Sequence, residues 1–261
     1  MSAPRTVWVT GAANGMGASH ARRFAELGDN VACLDVEEAS LDELVEDIRR
    51  SGGNAEAVRV DITDWDAMSE AAARITCAFG PAEVVVANAG VVSTGDPVED
   101  LDPLEWRRVV EVNLTGSFLT AKAAVPQLRE AGSGSLIMVS SVCGLSASAG
   151  FGAYNASKHG VIGLMRTLAH ELGPLGVTVN AVCPGWVRTR MLDVSVDEAG
   201  AEEGNLEAFT DMNLIKRLIE PEEVSEAVVW LASRGARMVT GTVLPVDAGL
   251  MENRAWPAAD A

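Results

Sequence analysis

The chain of 261 residues is short of positive charge and contains no long apolar run. Lysine and arginine together number 20, against 37 aspartate and glutamate residues, so the net charge is −17. Nucleic acids and anionic membranes carry phosphate groups that such a chain repels, and we expect neither as a partner. No apolar run approaches the ~18 residues that span a bilayer, and no basic stretch followed by an apolar one marks a secretory signal. These absences predict a cytoplasmic protein.

Cysteine and histidine are scarce and scattered. Neither residue type recurs at a spacing typical of metal ligands or of a disulfide framework. The residues concerned are Cys33, Cys77, Cys143, Cys183, His20, His159 and His170. Free thiols in a reducing compartment are therefore favoured over disulfide bonds, and no metal site is predicted.

Tyrosine and lysine are also rare. The chain has one tyrosine, Tyr154, and three lysines, one of which is Lys158. Positions i and i+4 of a helix share a face, so the phenol and the ammonium would point the same way. A neighbouring ammonium lowers the pKa of a phenol from about 10 toward neutrality, which would make Tyr154 a usable proton donor or acceptor. The alternative is a half-buried tyrosine near a helix start with a solvated lysine beyond it.

Short β-branched runs alternate with amphipathic stretches along the chain. The runs predict strands over residues 6–9, 30–34, 55–60, 83–87, 135–139, 177–182 and 242–246. The amphipathic stretches predict helices over residues 16–27, 41–50, 65–79, 103–130, 153–172 and 221–233. Expected N-caps are Ser40, Asp64 and Asp102, and expected C-caps are Gly28, Gly80 and Gly173. The alternation predicts an α/β fold: a single-domain, Rossmann-type doubly wound parallel sheet of about seven strands, with helices on both faces, over residues 1–261.

A glycine-rich turn follows the first predicted strand. It reads Thr10-Gly11-Ala12-Ala13-Asn14-Gly15-Met16-Gly17 and leads into a predicted helix. Glycines permit positive φ and let the backbone approach a pyrophosphate at the helix N-terminus, which favours nucleotide binding. Ligands of doubly wound sheets bind at the carboxyl ends of the strands, where this turn lies.

Acidic and small residues end the next three strands. A carboxylate at Asp35 can accept hydrogen bonds from both adenosine ribose hydroxyls and repels a 2′-phosphate, so NAD is favoured and NADP is less so. Asp35 could instead cap the loop that follows it. Asp61 could meet the adenine amino group or cap a turn. The tripeptide Asn88-Ala89-Gly90 leaves room for a cofactor ribose or is only a turn.

With the motifs further along the chain, the sequence resembles the short-chain dehydrogenase/reductase family in its compact form of about 250 residues. The resemblance covers essentially the whole chain and keeps the family's order. The matching elements are residues 10–17, Asp61, Asn88-Ala89-Gly90, Asn113, Ser140-Ser141, Tyr154 with Lys158, and Pro184-Gly185. Two positions depart from the family pattern: Ala87 precedes Asn88 where a second asparagine is usual, and Ala248 stands in place of a glycine in the C-terminal Asp-Gly-Gly.

The resemblance implies hydride transfer between a carbinol carbon and a nicotinamide, coupled to proton transfer through Tyr154 as general acid/base. It implies that Ser141 stabilises the substrate oxygen, with Ser140 the neighbouring alternative. Lys158 would hold the nicotinamide ribose, and Asn113 would anchor a water that links Lys158 to solvent. Besides Tyr154 and Lys158, the expected cofactor-binding residues are Gly11, Asn14, Gly15, Met16, Gly17, Asp35, Asp61, Ile62, Asn88, Ala89, Gly90, Pro184, Gly185, Val187 and Thr189.

The substrate pocket is expected between residues 142–152 and a lid over about residues 190–217. Apolar residues of both stretches would line it: Cys143, Leu145, Phe151, Met191, Leu192, Phe209 and Met212. This lining suggests an alicyclic, aromatic or steroid-like secondary alcohol. The lid also carries carboxylates at Asp193, Asp197, Glu198, Glu202, Glu203, Glu207 and Asp211. Arg188 and Arg190 could supply a local basic pocket.

The principal hypothesis is an NAD-dependent secondary-alcohol dehydrogenase acting on a small-molecule alcohol or ketone. One alternative is a 3-oxoacyl-thioester reductase of the same family, which the acidity and Asp35 oppose. The other is a non-catalytic NAD-binding regulatory protein, which the intact set of Asn113, Ser141, Tyr154 and Lys158 opposes. Family resemblance adds the expectation of a homo-oligomer, specifically a tetramer.

Overall fold

The computed structural model describes residues 3–92, 96–192 and 206–253. Its strands are β1 Thr6–Thr10, β2 Asn30–Asp35, β3 Asn54–Arg59, β4 Val84–Ala87, β5 Gly134–Val139, β6 Val177–Pro184 and β7 Val243–Val246. All are parallel, and they form one sheet in the order β3–β2–β1–β4–β5–β6–β7. Each strand coincides with one of the β-branched runs, so the predicted doubly wound parallel sheet is confirmed.

The described helices cover both faces of the sheet. They are α1 Gly15–Glu26, α2 Glu38–Arg50, α3 Trp65–Phe79, α4 Pro103–Val110, α5 Gly116–Glu130, α6 Gly152–Leu172, α7 Leu206–Asp211 and α8 Pro221–Leu231. The predicted single helix over residues 103–130 is wrong in one respect, because a π-helical segment, Glu111–Thr115, separates α4 from α5. No helix within the described ranges is long and apolar enough to cross a membrane.

The strands alternate their side chains between two apolar layers. Trp8 of β1 packs in the layer formed with α3, α5 and α6, whereas Val7 and Val9 pack in the layer formed with α1, α2 and α8. All three side chains are fully buried. Because each central strand is covered on both faces, its sequence is a continuous apolar run rather than an alternating one.

The strand order reverses between β1 and β4, which are neighbours in the sheet. From β1 the chain proceeds outward to β2 and β3, and from β4 it proceeds outward in the other direction to β7. The connections after β1 and β4 therefore diverge and leave a crevice at the carboxyl ends of the strands. The glycine turn follows β1, and Asn88-Ala89-Gly90 follows β4, so the two motifs face each other across this crevice.

Helix ends follow the expected capping residues with two exceptions. Gly80 and Gly173 are the C-caps of α3 and α6, as expected. The C-cap of α1 is Leu27, and the expected Gly28 follows it with positive φ. Gly173 has φ −53 because the chain continues through a 3₁₀ turn, and the left-handed residue there is Gly176. Ser40 is not an N-cap: α2 begins at Glu38, since acidic residues at a helix start interact favourably with its positive end and extend it upstream.

Ala248, one of the departures from the family pattern, has an unusual backbone conformation. Its φ is +54, and it is the one non-glycine residue with positive φ in the described ranges. The left-handed conformation costs a residue with a Cβ roughly 1–2 kcal/mol. The carbonyl oxygen of Ala248 accepts hydrogen bonds from the backbone N–H groups of Leu214 and Ile215, at 2.9 and 3.0 Å. These bonds fasten the segment after α7 to the end of β7 and offset the strain.

The difference between Asp64 and Ser40 is testable by mutation. The Asp64 carboxylate accepts a hydrogen bond from the backbone N–H of Ala67 (3.0 Å), so Asp64→Ala should lower the free energy of unfolding by about 1 kcal/mol. Ser40 lies inside α2 and donates only to the exposed Glu37 carboxylate (3.4 Å), so Ser40→Ala, the control, should change it by less than about 0.5 kcal/mol. Urea titrations followed by circular dichroism measure both. Equal losses would contradict these cap assignments.

Candidate active site

Tyr154 and Lys158 lie one turn apart at the start of α6. Their side chains share a face, and Nζ of Lys158 is 5.6 Å from the centre of the Tyr154 ring. Lys158 is only 4% exposed, and its Nζ donates a hydrogen bond to the carbonyl oxygen of Val139 at the end of β5 (3.0 Å). The lysine is therefore a buried amine beside the phenol, not the solvated side chain of the alternative interpretation.

The electrostatics of this pair differ from the expectation. Desolvation raises the pKa of Tyr154 above its ordinary value, the nearby Cys143 and Cys183 thiols add to the rise, and a hydrogen bond with the Ser141 side chain opposes it. Desolvation also lowers the pKa of Lys158 to about 8. The prediction that the ammonium moves the phenol's pKa toward neutrality is wrong for the chain by itself, because burial is the largest cause of the shift and raises the pKa of the phenol.

Ser140 and Ser141 follow β5 and have different partners. The Ser140 hydroxyl donates a hydrogen bond to the carbonyl oxygen of Lys158 (2.9 Å) and so ties α6 to the end of the strand. Oγ of Ser141 accepts a hydrogen bond from the backbone N–H of Cys143 (3.1 Å), which leaves its proton available to another acceptor. Both serines line the pocket that contains Tyr154. Because the Ser140 proton is engaged within the fold, Ser141 is the hydroxyl that can serve a ligand there.

Asn113 is fully buried in the π-helical segment between α4 and α5. Its Oδ1 accepts a hydrogen bond from the backbone N–H of Val91 (2.8 Å), and its Nδ2 donates to the Val91 carbonyl (2.9 Å) and to Oγ of Ser157 (3.0 Å). Ser157 in turn donates to the carbonyl oxygen of Tyr154 (2.8 Å). Asn113 therefore links the loop after β4 to the turn of α6 that carries Tyr154. Single π-helical turns often occur at functional sites.

The turn Asn88-Ala89-Gly90 lies close to both the glycine turn and the buried amine. Nδ2 of Asn88 donates hydrogen bonds to the carbonyl oxygens of Thr10 (3.0 Å) and Gly11 (3.2 Å). A side chain at Gly90 would meet Nζ of Lys158 at 3.3 Å. Glycine at this position therefore lets the backbone approach the lysine.

A long cleft runs along the carboxyl ends of β1, β2 and β4. Twelve of the predicted cofactor residues line it: Gly11, Asn14, Gly15, Met16, Gly17, Asp35, Asp61, Ile62, Asn88, Ala89, Gly90 and Thr189. The sequence interpretation missed seven further lining residues, namely Val36, Glu37, Val60, Val91, Val112, Arg190 and Met191. Pro184, Gly185 and Val187 line the adjoining pocket with Tyr154, and Met16, Thr189 and Met191 line both cavities.

The cleft has the features that a dinucleotide needs. Gly11 and Gly15 have φ values of +65 and +54, and a Cβ at Gly17 would overlap the carbonyl oxygen of Gly11. The N-terminus of α1 has no side-chain cap and no acidic residue in its first turn. Its backbone N–H groups are therefore available to a phosphate, and the residues of the cleft fit such a cofactor.

Asp35 and Asp61 both line the cleft, and both hold turns. Oδ1 of Asp35 accepts hydrogen bonds from the next two backbone N–H groups (2.7 and 3.0 Å), and Oδ2 accepts one from Ala13 in the glycine turn (2.9 Å). Oδ1 of Asp61 accepts from the backbone N–H and the hydroxyl of Thr63 (2.9 and 2.7 Å). The capping role is confirmed for each residue. Contact with the cofactor stays a prediction, and both carboxylates keep unused lone pairs for it.

The segment after β6 crosses the glycine turn. It begins at Gly185, directly after Pro184 at the end of β6, and the hydroxyl of Thr189 donates a long hydrogen bond to the carbonyl oxygen of Val187 (3.4 Å). A side chain at Gly15 would come within 3.2 Å of the Thr189 methyl group. This packing places Thr189 at the junction of the cleft and the Tyr154 pocket.

The pocket beside Tyr154 is lined largely by apolar side chains. Four of the predicted lining residues are present: Cys143, Phe151, Met191 and Leu192. Leu145 packs against the apolar core instead, and Met212 is 40% exposed outside the pocket. Phe209 packs edge-on against Trp186, with ring centres 4.5 Å apart, and so meets the pocket wall from behind. Val142 and Ser148 also line the pocket and lie within the predicted stretch 142–152, whereas Val92 and Trp186 were not predicted to line it.

The charged residues near the pocket do not form the hypothesised basic site. Arg188 forms an ion pair with Glu220 (3.0 Å), whereas Arg190 lines the cofactor cleft. Five predicted lid carboxylates, Asp193, Asp197, Glu198, Glu202 and Glu203, lie outside the described residues. Within the described ranges, no three His, Cys, Asp or Glu residues cluster as metal ligands.

Comparison with known proteins agrees with this arrangement. A family model described as enoyl-(acyl carrier protein) reductase matches residues 11–251. A cis-4-hydroxycyclohexanecarboxylate dehydrogenase of Sinomonas cyclohexanicum is 40% identical over 247 residues, which cover 95% of this chain and 96% of the relative. The chain belongs to the short-chain dehydrogenase/reductase family.

Further relatives support the same assignment. The trans-4-hydroxycyclohexanecarboxylate dehydrogenase of the same organism is 40% identical over 253 residues, covering 95% of this chain and 93% of its own. The crystal structure of levodione reductase has a TM-score of 0.92 and 30% identity, with 96% of this chain and 98% of that chain covered. As a short-chain dehydrogenase/reductase, the chain is an oxidoreductase with alcohol and ketone chemistry, and the family implies a nicotinamide cofactor.

The buried amine of this short-chain dehydrogenase/reductase should give a characteristic pH dependence. Between about pH 8 and 10, Lys158 is largely deprotonated in the folded chain but still protonated in the unfolded chain. In this range Lys158 therefore makes the free energy of unfolding rise with pH, by up to about 1.4 kcal/mol per pH unit. Lys158→Met removes that contribution. The unfolding free energy of the wild type minus that of the variant should therefore rise across this range and stay flat below about pH 7.

Urea titrations at each pH measure this difference. Lys216→Met, which removes an exposed lysine, is the control for the loss of one positive charge. A difference for Lys158→Met that stays flat above pH 8, or matches that of the control, would contradict a buried amine with a lowered pKa.

Proposed function

We propose that the protein is an NAD-dependent dehydrogenase that interconverts a hydrophobic alicyclic secondary alcohol and its ketone, with Tyr154 as general acid/base. One observation carries the proposal: Tyr154 and Ser141 line a pocket that shares Met16, Thr189 and Met191 with the cofactor cleft. A substrate in the pocket would therefore lie against both a proton-transfer group and the nicotinamide end of the cofactor.

The chemistry follows from the side chains at this junction. When bound, the nicotinamide supplies or accepts the hydride. Tyr154 gives a proton to the ketone oxygen during reduction and takes it from the hydroxyl during oxidation. Its raised pKa keeps the phenol protonated, which is the form that reduction requires. The Ser141 hydroxyl can donate a hydrogen bond to the same oxygen and stabilise the negative charge that develops on it.

Lys158 and Asn113 assist Tyr154 from within the fold, behind the wall of the pocket. The Lys158 amine, with a pKa lowered to about 8, can exchange a proton near neutral pH as well as hold a ribose hydroxyl. Both Nδ2 protons of Asn113 are used in positioning, so the water expected beside it would donate to a carbonyl oxygen of this residue, and the backbone carbonyl is one such acceptor. That carbonyl already accepts the Ser117 hydroxyl (2.6 Å) and has a second lone pair.

The charges that line the cleft favour NAD over NADP. Asp35 and Glu37 both line its end near β2, and the Glu37 carboxylate is held by Nδ2 of Asn14 (2.9 Å). A 2′-phosphate there would face two carboxylates. Arg190 is the one basic residue among the described lining residues, and it follows Thr189, which packs on Gly15. Its positive charge is therefore beside the glycine turn, where a pyrophosphate would lie.

The substrate class rests on the pocket and on the relatives together. The described lining includes Val92, Phe151, Trp186 and Leu192, which suit a compact hydrocarbon ring. Two relatives at 40% identity are named for hydroxycyclohexanecarboxylates, whose hydroxyl group is borne by a ring. A ring-borne secondary alcohol meets the requirements of both the pocket and the chemistry.

Tyr154→Phe tests the catalytic assignment. Removing the phenol oxygen should lower kcat by about 1000-fold with a panel of cyclic secondary alcohols, because phenylalanine cannot give or take the proton. NAD affinity, measured by calorimetry, should change less than about threefold. Ser146→Ala, which removes an exposed hydroxyl from the neighbouring loop, is the control and should retain activity. Retained turnover in Tyr154→Phe would remove this residue from the mechanism, and an unmutated protein that binds NAD but turns over no alcohol would favour a regulatory role.

The double variant Asp35→Ser with Glu37→Arg tests the cofactor assignment. It replaces two carboxylates with a neutral cap and a cation at the ribose end, so the ratio of kcat/KM for NADP to that for NAD should rise by at least about 100-fold. Asp35→Ser with Glu43→Arg makes the same charge change but places the arginine on the exposed face of α2, and it serves as the control. If both double variants show the same ratio, the position of the arginine has no effect and the assignment of Glu37 is wrong.

A further inference from the structure

We propose that the substrate pocket selects uncharged substrates and discriminates strongly against a carboxylate of the same shape. This inference rests on the proposed function and goes beyond it by specifying the charge of the substrate. It predicts a difference from two relatives that are named for substrates with a carboxylate. It concerns the charge that the pocket can accept, not the position of the reacting hydroxyl.

The described residues that line the pocket carry no positive charge. They are Met16, Val92, Ser140, Ser141, Val142, Cys143, Ser148, Phe151, Tyr154, Pro184, Gly185, Trp186, Val187, Thr189, Met191 and Leu192. Their polar groups are hydroxyls and one thiol, which can hydrogen-bond to a neutral oxygen but cannot neutralise an anion. A carboxylate inside this lining would be an unpaired charge.

Three arginines of the elements around the pocket are already paired with carboxylates. Arg188 pairs with Glu220 (3.0 Å), and Arg217 forms a bidentate pair with Glu223 (2.6 Å for each bond). Arg108, whose guanidinium also donates to the carbonyl oxygen of Val92 (3.0 Å), is held by both carboxylate oxygens of Glu105. Each arginine would have to give up a short ion pair to reach a substrate anion.

Two further cations, those of Lys158 and Arg190, also lie outside the lining of the pocket. Nζ of Lys158 is directed to the carbonyl oxygen of Val139 behind Tyr154, and the residue does not line the pocket. Arg190 lines the cofactor cleft, beside the glycine turn where a pyrophosphate would bind. Neither is placed to accept a carboxylate from the part of the substrate remote from Tyr154.

The surroundings of the pocket disfavour anions in two ways. Desolvation is the largest cause of the raised pKa values of Tyr154 and Cys143, which means that both groups resist becoming anions in this environment. A substrate carboxylate would face the same desolvation. The net charge of the chain, −17, is also of the same sign as such a substrate and repels it.

The matched substrates for the test are cyclohexanol, 4-hydroxycyclohexanecarboxamide and 4-hydroxycyclohexanecarboxylate. The amide and the carboxylate have nearly the same shape and differ in charge at pH 8. With the NAD-loaded enzyme, kcat/KM for the carboxylate should be about 100-fold lower than for the amide, because a buried anion without a partner is strongly disfavoured. The amide should lie within about tenfold of cyclohexanol.

The outcomes separate this inference from the proposed function. Oxidation of cyclohexanol and the amide together with poor use of the carboxylate supports both. Equal or better use of the carboxylate overturns the inference and leaves the proposed alcohol dehydrogenase intact. If none of the three is oxidised, and no other cyclic secondary alcohol is, the proposed function fails and the inference fails with it.

A pair of variants tests whether the charge of the pocket is the cause. Ser148 lines the pocket on an exposed loop, so Ser148→Arg should place a cation at the rim. The ratio of kcat/KM for the carboxylate to that for the amide should rise by at least about tenfold in Ser148→Arg and should stay unchanged in the neutral, long-chain control Ser148→Gln. Because both substrates are measured on each variant, general damage to the enzyme cancels in the ratio. An equal ratio in the two variants would overturn the inference.

Discussion

The burial of one amine, that of Lys158, is the constraint on which the rest of the site depends. A buried ammonium needs a hydrogen-bond acceptor, and the end of β5 provides the Val139 carbonyl. The helix that carries the lysine must then stay close to that strand, and the Ser140 hydroxyl holds it there through the Lys158 carbonyl. The neighbouring strand end must also come close, which requires glycine at position 90. Tyr154 takes its position from this arrangement, since it is fixed to the same helix one turn earlier.

Most of the fold could be predicted from the sequence because strands covered on both faces must be apolar throughout. The π-helical segment Glu111–Thr115 could not, since one extra residue in a helical turn barely changes an apolar periodicity of 3.6. Its cause is tertiary. Asn113 must present its carboxamide to both Val91 and Ser157, and the wider turn aligns it with the two partners. A buried asparagine in a helix signals that a partner exists but does not identify it.

The residue types of the site could be predicted, whereas their electrostatics could not. The order and spacing of Ser141, Tyr154 and Lys158 depend only on the sequence. The direction of the Tyr154 pKa shift depends on how deeply both members of the pair are buried, which spacing does not reveal. The sequence also leaves two alternative roles for the Asp35 carboxylate, capping a turn or contacting the cofactor. The structure makes the two roles compatible. The capping bonds orient a carboxylate that still lines the cleft.

The charge distribution of the described site matches a reaction that begins and ends with neutral organic molecules. Carboxylates line the cleft near the end of β2, and Arg190 lines the same cleft. The pocket itself is lined by apolar and hydroxyl groups. An alcohol and its ketone differ by a hydride and a proton, so neither requires a countercharge in the pocket once both have been transferred. In the proposed reaction, charge develops only on the oxygen during transfer, and Ser141 and Tyr154 are the pocket residues that would meet it. The low polarity of the rest of the pocket strengthens the hydrogen bonds of Ser141 and Tyr154 to such an oxygen. The desolvation that disfavours a bound anion therefore also makes the reaction depend strongly on where these two protons are placed.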